Sequence, residues 1–191
     1  MTRNPVSEFE AQYQASGDPW GYESSEYERA KYDATIAALG DRTYPFGLEL
    51  GASIGVLSER LALRCGRLIT LEPAPTAVEQ ASRRLQTTPN VDVRLGSAPE
   101  NLPEWTFDLV VCSEVLYYFS PDELTTLLDA LEALMPRAGT LLAVSWRGRG
   151  THQLTGDEVH AQLRLRAGLV RVHAEAHPEY LLDRFERRAS A

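Results

Sequence analysis

The chain has 191 residues, 43% of them hydrophobic and 24% charged, with a formal net charge of −8. Those values suit one globular domain with a sizeable core. The acidic balance excludes nucleic acid as the main partner, since neutralising phosphates needs a basic face, and no apolar run suits a membrane span or a secretory signal.

Residues 4–17 read as a helix, with Phe9 and Tyr13 four apart on one face. Asp18-Pro19-Trp20-Gly21-Tyr22 breaks it. A second helix runs from about Ser25 to Gly40, with Tyr27, Ala30, Ala34, Ala37 and Ala38 as its apolar stripe. Residues 1–40 are thus expected to form a helical cover, and 46–191 an α/β core, within a single domain. From Phe46 onward strands and helices alternate: strand 46–51, helix 55–65, strand 67–72, helix 75–86 opened by Pro75, strand 91–95, strand 107–112. Ser120-Pro121-Asp122-Glu123 opens the next helix as a capping box. Strand 140–146, a glycine-rich loop at 147–151, a helix near 156–166 and two strands at 169–175 and 180–187 complete the pattern. The unbroken apolar run after Asp108 marks a strand buried on both faces, as in a parallel sheet. Alternation in 91–95 and 169–175 places those strands at edges. Cys65, late in a helix, and Cys112, in a strand, read as small buried hydrophobes, which favours a cytoplasmic location. The fold class expected is a doubly wound, mostly parallel sheet with a C-terminal antiparallel hairpin at its edge.

The organising stretch is Gly47-Leu48-Glu49-Leu50-Gly51-Ala52-Ser53-Ile54-Gly55-Val56-Leu57, a strand, a tight glycine turn and a helix start. A helix opening carries free N–H groups and the positive end of its dipole, which attract a carboxylate or phosphate. Seventeen residues after Gly55 the next apolar run ends in Glu72, placed to accept hydrogen bonds from ribose hydroxyls. An adenosine-containing ligand follows. The dinucleotide fingerprint would need glycines at 53 and 56, where the chain has Ser53 and Val56. Glu49-Leu50-Gly51-Ala52-Ser53-Ile54-Gly55 instead resembles motif I of class I S-adenosylmethionine (SAM)-dependent methyltransferases, with Ser53 in place of the middle glycine.

In a doubly wound sheet the loops after the parallel strands open on one edge. That gathers Glu49, Gly51, Ala52, Ser53 and Gly55 with Glu72 and Pro73, Ser97 and Ala98, and Ser113 and Glu114 as cofactor-binding candidates. From the leading segment, Trp20 shapes the cover and Arg29 could pair with a cofactor carboxylate. Ser97 stands where many class I methyltransferases carry an Asp, so adenine recognition falls more on backbone groups.

Ser113-Glu114-Val115-Leu116-Tyr117-Tyr118-Phe119, together with Asp18–Tyr22, Tyr27–Tyr32 and Thr155–His160, resembles the NodS-like methyltransferases, the rhizobial nodulation N-methyltransferases and their relatives. The resemblance spans about residues 8 to 187. It implies the seven-stranded Rossmann-like methyltransferase fold, SAM as donor with S-adenosylhomocysteine as product, and, in the nodulation branch, an amino nitrogen of a chitooligosaccharide as acceptor. The expected activity is methyl transfer to nitrogen or oxygen of a small acceptor such as an amino sugar or glycoside. A base assists such a step, and Glu114, His152, His160 and Tyr117 are the candidates. Glu114 sits at a strand mouth, and Tyr117 with Tyr118 also reads as a pocket wall; packing or capping competes for His160. No His, Cys, Asp and Glu spacing suits a metal, so a metal-free reaction is expected. The alternatives are a protein that holds SAM or adenosine without transfer, and a nicotinamide oxidoreductase, disfavoured by the glycine spacing.

Overall fold

The computed structural model describes residues 5–148, 150 and 152–188; residue 4 of the first predicted helix and residues 149 and 151 of the predicted glycine-rich loop lie outside them. Two helices lead, α1 (Pro5–Ala15) and α2 (Glu26–Ala37). The alternating part follows: β1 (Tyr44–Leu50), α3 (Val56–Ala62), β2 (Cys65–Glu72), α4 (Pro75–Arg84), β3 (Val91–Leu95) and β4 (Leu109–Ser113). After a 3-10 turn at Leu116–Tyr118 come α5 (Pro121–Leu134), β5 (Thr140–Trp146), α6 (Gly156–Leu165), β6 (Leu169–Ala176) and β7 (Tyr180–Arg187). The strands form one seven-stranded sheet in the order β3-β2-β1-β4-β5-β7-β6. The first five run parallel, while β7 pairs antiparallel with both β5 and β6. Both strands expected at edges, β3 and β6, are at edges, and β6 carries a register irregularity between Arg171 and His173 that interrupts its pairing.

Both sheet faces are covered. On one, Leu48, Leu50, Ile69 and Val110 pack against Leu124, Leu127, Leu128 and Leu131 of α5 and Val159 and Leu163 of α6. On the other, Leu68, Leu109, Val111 and Leu142 pack against Leu57 and Leu61 of α3 and Tyr32 of α2. The helices start where capping chemistry says they should: Ser120 and Thr155 form complete capping boxes with Glu123 and Glu158, and Pro75 opens α4.

Two expectations are corrected. The predicted helix 55–65 ends at Ala62, and Cys65 is the first residue of β2, still buried at 7% exposure. The Asn90 side chain donates to the carbonyls of Ala62 (2.9 Å) and Cys65 (2.8 Å), so a residue 25 or more positions away closes the helix and starts the strand. The face of α2 is also rotated. Tyr27, Ala30 and Ala37 are exposed, and the buried positions are Glu28, Lys31, Tyr32 and Thr35. The cause is electrostatic. The Lys31 ammonium donates to Glu28 Oε1 (3.0 Å) on its own helix and to Glu114 Oε1 (2.8 Å) beyond β4, so burying this polar face pins α2 to the core.

Glu49, in the middle of β1, is 1% exposed and accepts a hydrogen bond from Ser58 Oγ at 2.5 Å. Burial pushes its carboxyl up to about 8, against the hydroxyl's opposite pull.

Three outcomes follow. Lys31→Met leaves Glu28 buried without its cation and takes one of three donors from the partly buried Glu114, and should lower the unfolding free energy by roughly 3 kcal/mol in a urea titration. Arg29→Met, which removes only an exposed contact to Glu26, should change it by less than about 0.5 kcal/mol. Because Glu49 holds its proton more tightly folded than unfolded, its contribution is complete below about pH 4.5 and lost as pH rises through about 8. The Tm of Glu49→Gln relative to wild type should therefore climb between pH 5 and pH 9; a constant difference would contradict the assignment.

Candidate active site

The turn between β1 and α3 takes positive φ at three alternate residues, Gly51 (78°), Ser53 (50°) and Gly55 (82°). This explains the preference for glycine there. A Cβ at Gly55 would come within 3.2–3.3 Å of Leu85 and Ala81, so α4 can press against the turn only while position 55 is bare. Ser53 tolerates the left-handed conformation because both its polar groups are used. Its N–H donates to Glu72 Oε2 (2.8 Å), and its Oγ accepts from the Tyr13 hydroxyl (2.5 Å).

Glu72, at the carboxyl end of β2, also accepts from Ala74 N on Oε1 (2.9 Å) and is 4% exposed. Burial pushes its carboxyl up to about 7 despite the two N–H donors. A carboxylate offers about four lone-pair sites, so each oxygen keeps one for a ligand hydroxyl. Turn and carboxylate open into a cleft of about 730 Å³, open solvent included, whose lining includes Gly51 to Ile54, Glu72, Pro73, Ser113, Glu114 and Val115. Phe9, Tyr13, Trp20, Tyr22 and Tyr32 from the leading segment also line it. Trp20 anchors that aromatic group edge-on to Tyr13 (5.3 Å between ring centroids) and Phe9 (6.2 Å), and Phe9 meets Tyr118 of the core at 4.9 Å. Glu10 holds the start of α4 by accepting from Thr76 N (3.0 Å) and Thr76 Oγ1 (2.6 Å).

Of the four residues predicted for chemistry, Glu114, Tyr117 and His152 come together, with Glu114 in the cavity lining and the other two behind it. Glu114 has a φ of 59°, unusual for a side-chain-bearing residue, and three donors converge on its carboxylate. Lys31 Nζ reaches Oε1 (2.8 Å), while the Tyr117 hydroxyl (2.9 Å) and Trp146 N (2.8 Å) share Oε2. The His152 ring sits among Tyr117 (4.5 Å), Tyr118 (4.9 Å) and Trp146 (5.9 Å). His160 is elsewhere and fully buried, with Nδ1 2.9 Å from Asp183 Oδ2, joining α6 to β7.

Several predicted cofactor contacts stay outside this lining. Glu49 is turned beneath the turn to Ser58, and Arg29 faces solvent beside Glu26. Gly55 meets α4, and Ser97 and Ala98 lie past β3, where Ser97 N donates to Asn101 Oδ1 (3.0 Å). Sequence reasoning passed over Lys31, the buried cation of α2, two positions from the Arg29 it chose. The Glu28-Lys31-Tyr32-Thr35 spacing would have revealed that helix face had polar residues been admitted to it. It likewise passed over Phe9 and Tyr13 as lining residues. Among the described residues no group of three or more His, Cys, Asp and Glu is placed to hold a metal ion, and no helix is long and apolar enough to cross a membrane.

Comparison with known proteins agrees with this architecture. The family model described as Nodulation protein S (NodS) matches residues 3–160. The nodulation protein S of Rhizobium tropici is 30% identical over 105 residues, 54% of this chain and 44% of that protein, so the chain matches less than two thirds of its length. A solved structure described as a putative methyltransferase from Pseudomonas syringae is 35% identical, with a TM-score of 0.76 over 85% of this chain and 100% of that one. The N-methyltransferase NodS from Bradyrhizobium japonicum WM9, solved in complex with S-adenosylhomocysteine, shares the fold at 24% identity, with a TM-score of 0.87 over 97% of this chain and 100% of that one. The sheet is thus that of the Rossmann-like methyltransferases, and the chain belongs to the Nodulation protein S (NodS) family.

Proposed function

We propose that the protein is a SAM-dependent methyltransferase that methylates a nitrogen of a small acceptor, with amino sugars and other amino glycosides as the acceptor class. One observation carries the reading: a positive-φ turn, a buried carboxylate with free lone pairs and a second, donor-held carboxylate all face one cavity. The residues suit the cofactor. Glu72 accepts from the ribose, Gly51 and Ala52 present their backbone, and Ser113 with Val115 flanks the transferable end. The solved family member from B. japonicum holds S-adenosylhomocysteine, and the P. syringae relative is described as a putative methyltransferase, which supports the same cofactor here.

Bound SAM supplies an electrophilic methyl for in-line displacement. The chain's own work is orientation, which is worth on the order of 7 kcal/mol or more when the attacking atom is well aimed. Three of about four lone-pair sites on Glu114 are taken, and the fourth accepts an N–H from the acceptor and directs its lone pair. Glu114 therefore positions the nucleophile. His152, packed beside Tyr117 and Tyr118, is the group left to receive the proton that an amine releases. Helices α1 and α2 serve as a cover that keeps water from the reacting atoms.

Calorimetry with SAM and S-adenosylhomocysteine tests the cofactor, and radiolabelled methyl transfer to a panel of amino sugars and chitooligosaccharides tests the acceptor. Binding to neither nucleoside ends the proposal, and binding without transfer to any acceptor leaves only a cofactor-holding protein. Burial pushes the Glu72 carboxyl up to about 7, and its ionised form is the better acceptor. S-adenosylhomocysteine should accordingly bind more tightly as pH rises from 6 to 8. Glu72→Gln should weaken binding about tenfold at pH 8 and flatten that dependence.

A further inference from the structure

We propose that Tyr13 of α1 is itself a cofactor contact, its phenol oxygen taking a hydrogen bond from one ribose hydroxyl beside Glu72, in an orientation set by Ser53. The inference rests on the reading of this cavity as a SAM site. Three observations carry it. Tyr13 is 5% exposed yet lines the same cavity as Ser53 and Glu72. Its hydroxyl donates to Ser53 Oγ at 2.5 Å, and Ser53 N donates to Glu72 Oε2 at 2.8 Å, so the phenol is joined through one residue to the ribose-binding carboxylate. Ser53 itself holds a φ of 50°, a conformation glycine would occupy without strain, so the side chain kept there is one with a hydroxyl for Tyr13 to grip.

The hydrogen-bond inventory matches a vicinal diol. A phenol has one donor and can still accept, and the donor of Tyr13 is spent on Ser53. Each Glu72 oxygen has used one site on a backbone N–H. Two ribose hydroxyls bring two donors, one for Glu72 and one for Tyr13, while the Ser53 hydroxyl hydrogen remains for a ligand oxygen. Burial, reinforced by the negative charge of Glu72, pushes the Tyr13 phenol well above its usual range, so it stays neutral and keeps its grip on Ser53. Its ring packs on Trp20, a contact that phenylalanine would retain.

The test uses the full chain and two ligands, S-adenosylhomocysteine and 5′-deoxy-5′-methylthioadenosine, which keeps the ribose but lacks the amino-acid half. Tyr13→Phe should weaken both ligands by the same factor, about fivefold to tenfold. Ser53→Gly removes the gripping hydroxyl without backbone strain and should weaken both to a similar extent. The double variant should fall well short of the product of the two losses, because the hydroxyls act as a unit. Ligand-free melting temperatures separate a folding defect from a lost contact, and Ser53→Gly gives a reading even if the α1 variant folds poorly. Tyr13→Phe binding within twofold of wild type overturns the proposal, as does a loss seen with S-adenosylhomocysteine but not with methylthioadenosine. A wild-type protein that binds neither ligand overturns the cofactor reading, and this inference with it.

Discussion

The carboxylate of Glu72 is the constraint on which the site depends. It ends β2, yet it collects one N–H from the turn after β1 and one from the start of α4. Three elements that meet only at the carboxyl edge of the sheet are thus registered by one side chain. The charge is buried, which is costly, and the two N–H donors offset only part of that cost. Such tension suits the binding role proposed for Glu72, where a ligand's hydroxyls would supply the solvation the fold withholds.

A second buried charge system, on the other wall, works differently. Lys31 joins Glu28 of its own helix to Glu114 of the core, and Tyr117 and the backbone of Trp146 complete the shell. Here a cation joins two carboxylates, so the network serves as a fastener between the leading helices and the strand mouth where chemistry is proposed. Glu114 holds a left-handed backbone while its carboxylate meets both Lys31 of α2 and the backbone of Trp146 at the end of β5.

What could be read from the chain alone divides along physical lines. The sheet, its edges, the helix starts and the Gly51–Gly55 turn are written in local patterns: apolar runs, alternation, capping residues and glycines at positive φ. Glu72 was legible because its distance from the turn is set by one helix and one strand. The hidden parts depend on non-local pairing. The end of α3 is fixed by Asn90 from a distant loop, which no helix signal near Ala62 announces. The face of α2 misled because an apolar stripe is the ordinary rule, and Glu28 and Lys31 are buried only through a partner 83 residues from Lys31. Arg29 was chosen for its charge, and its neighbour two positions on has the geometry. Glu49 matched the motif by sequence, yet its side chain follows the pleat downward to Ser58.

The antiparallel entry of β7 has a consequence for how this scaffold can diversify. Trp146, the last residue of β5, pairs with Tyr180, so the short bend joining β6 to β7 emerges at the same rim as Glu114. Arg147 N grasps the Glu179 carbonyl there (2.8 Å), and the Tyr180 ring faces Tyr27 of α2 (6.2 Å). Lengthening or trimming that bend would reshape the rim beside Glu114 and Tyr27 while leaving strand register and the glycine turn as they are.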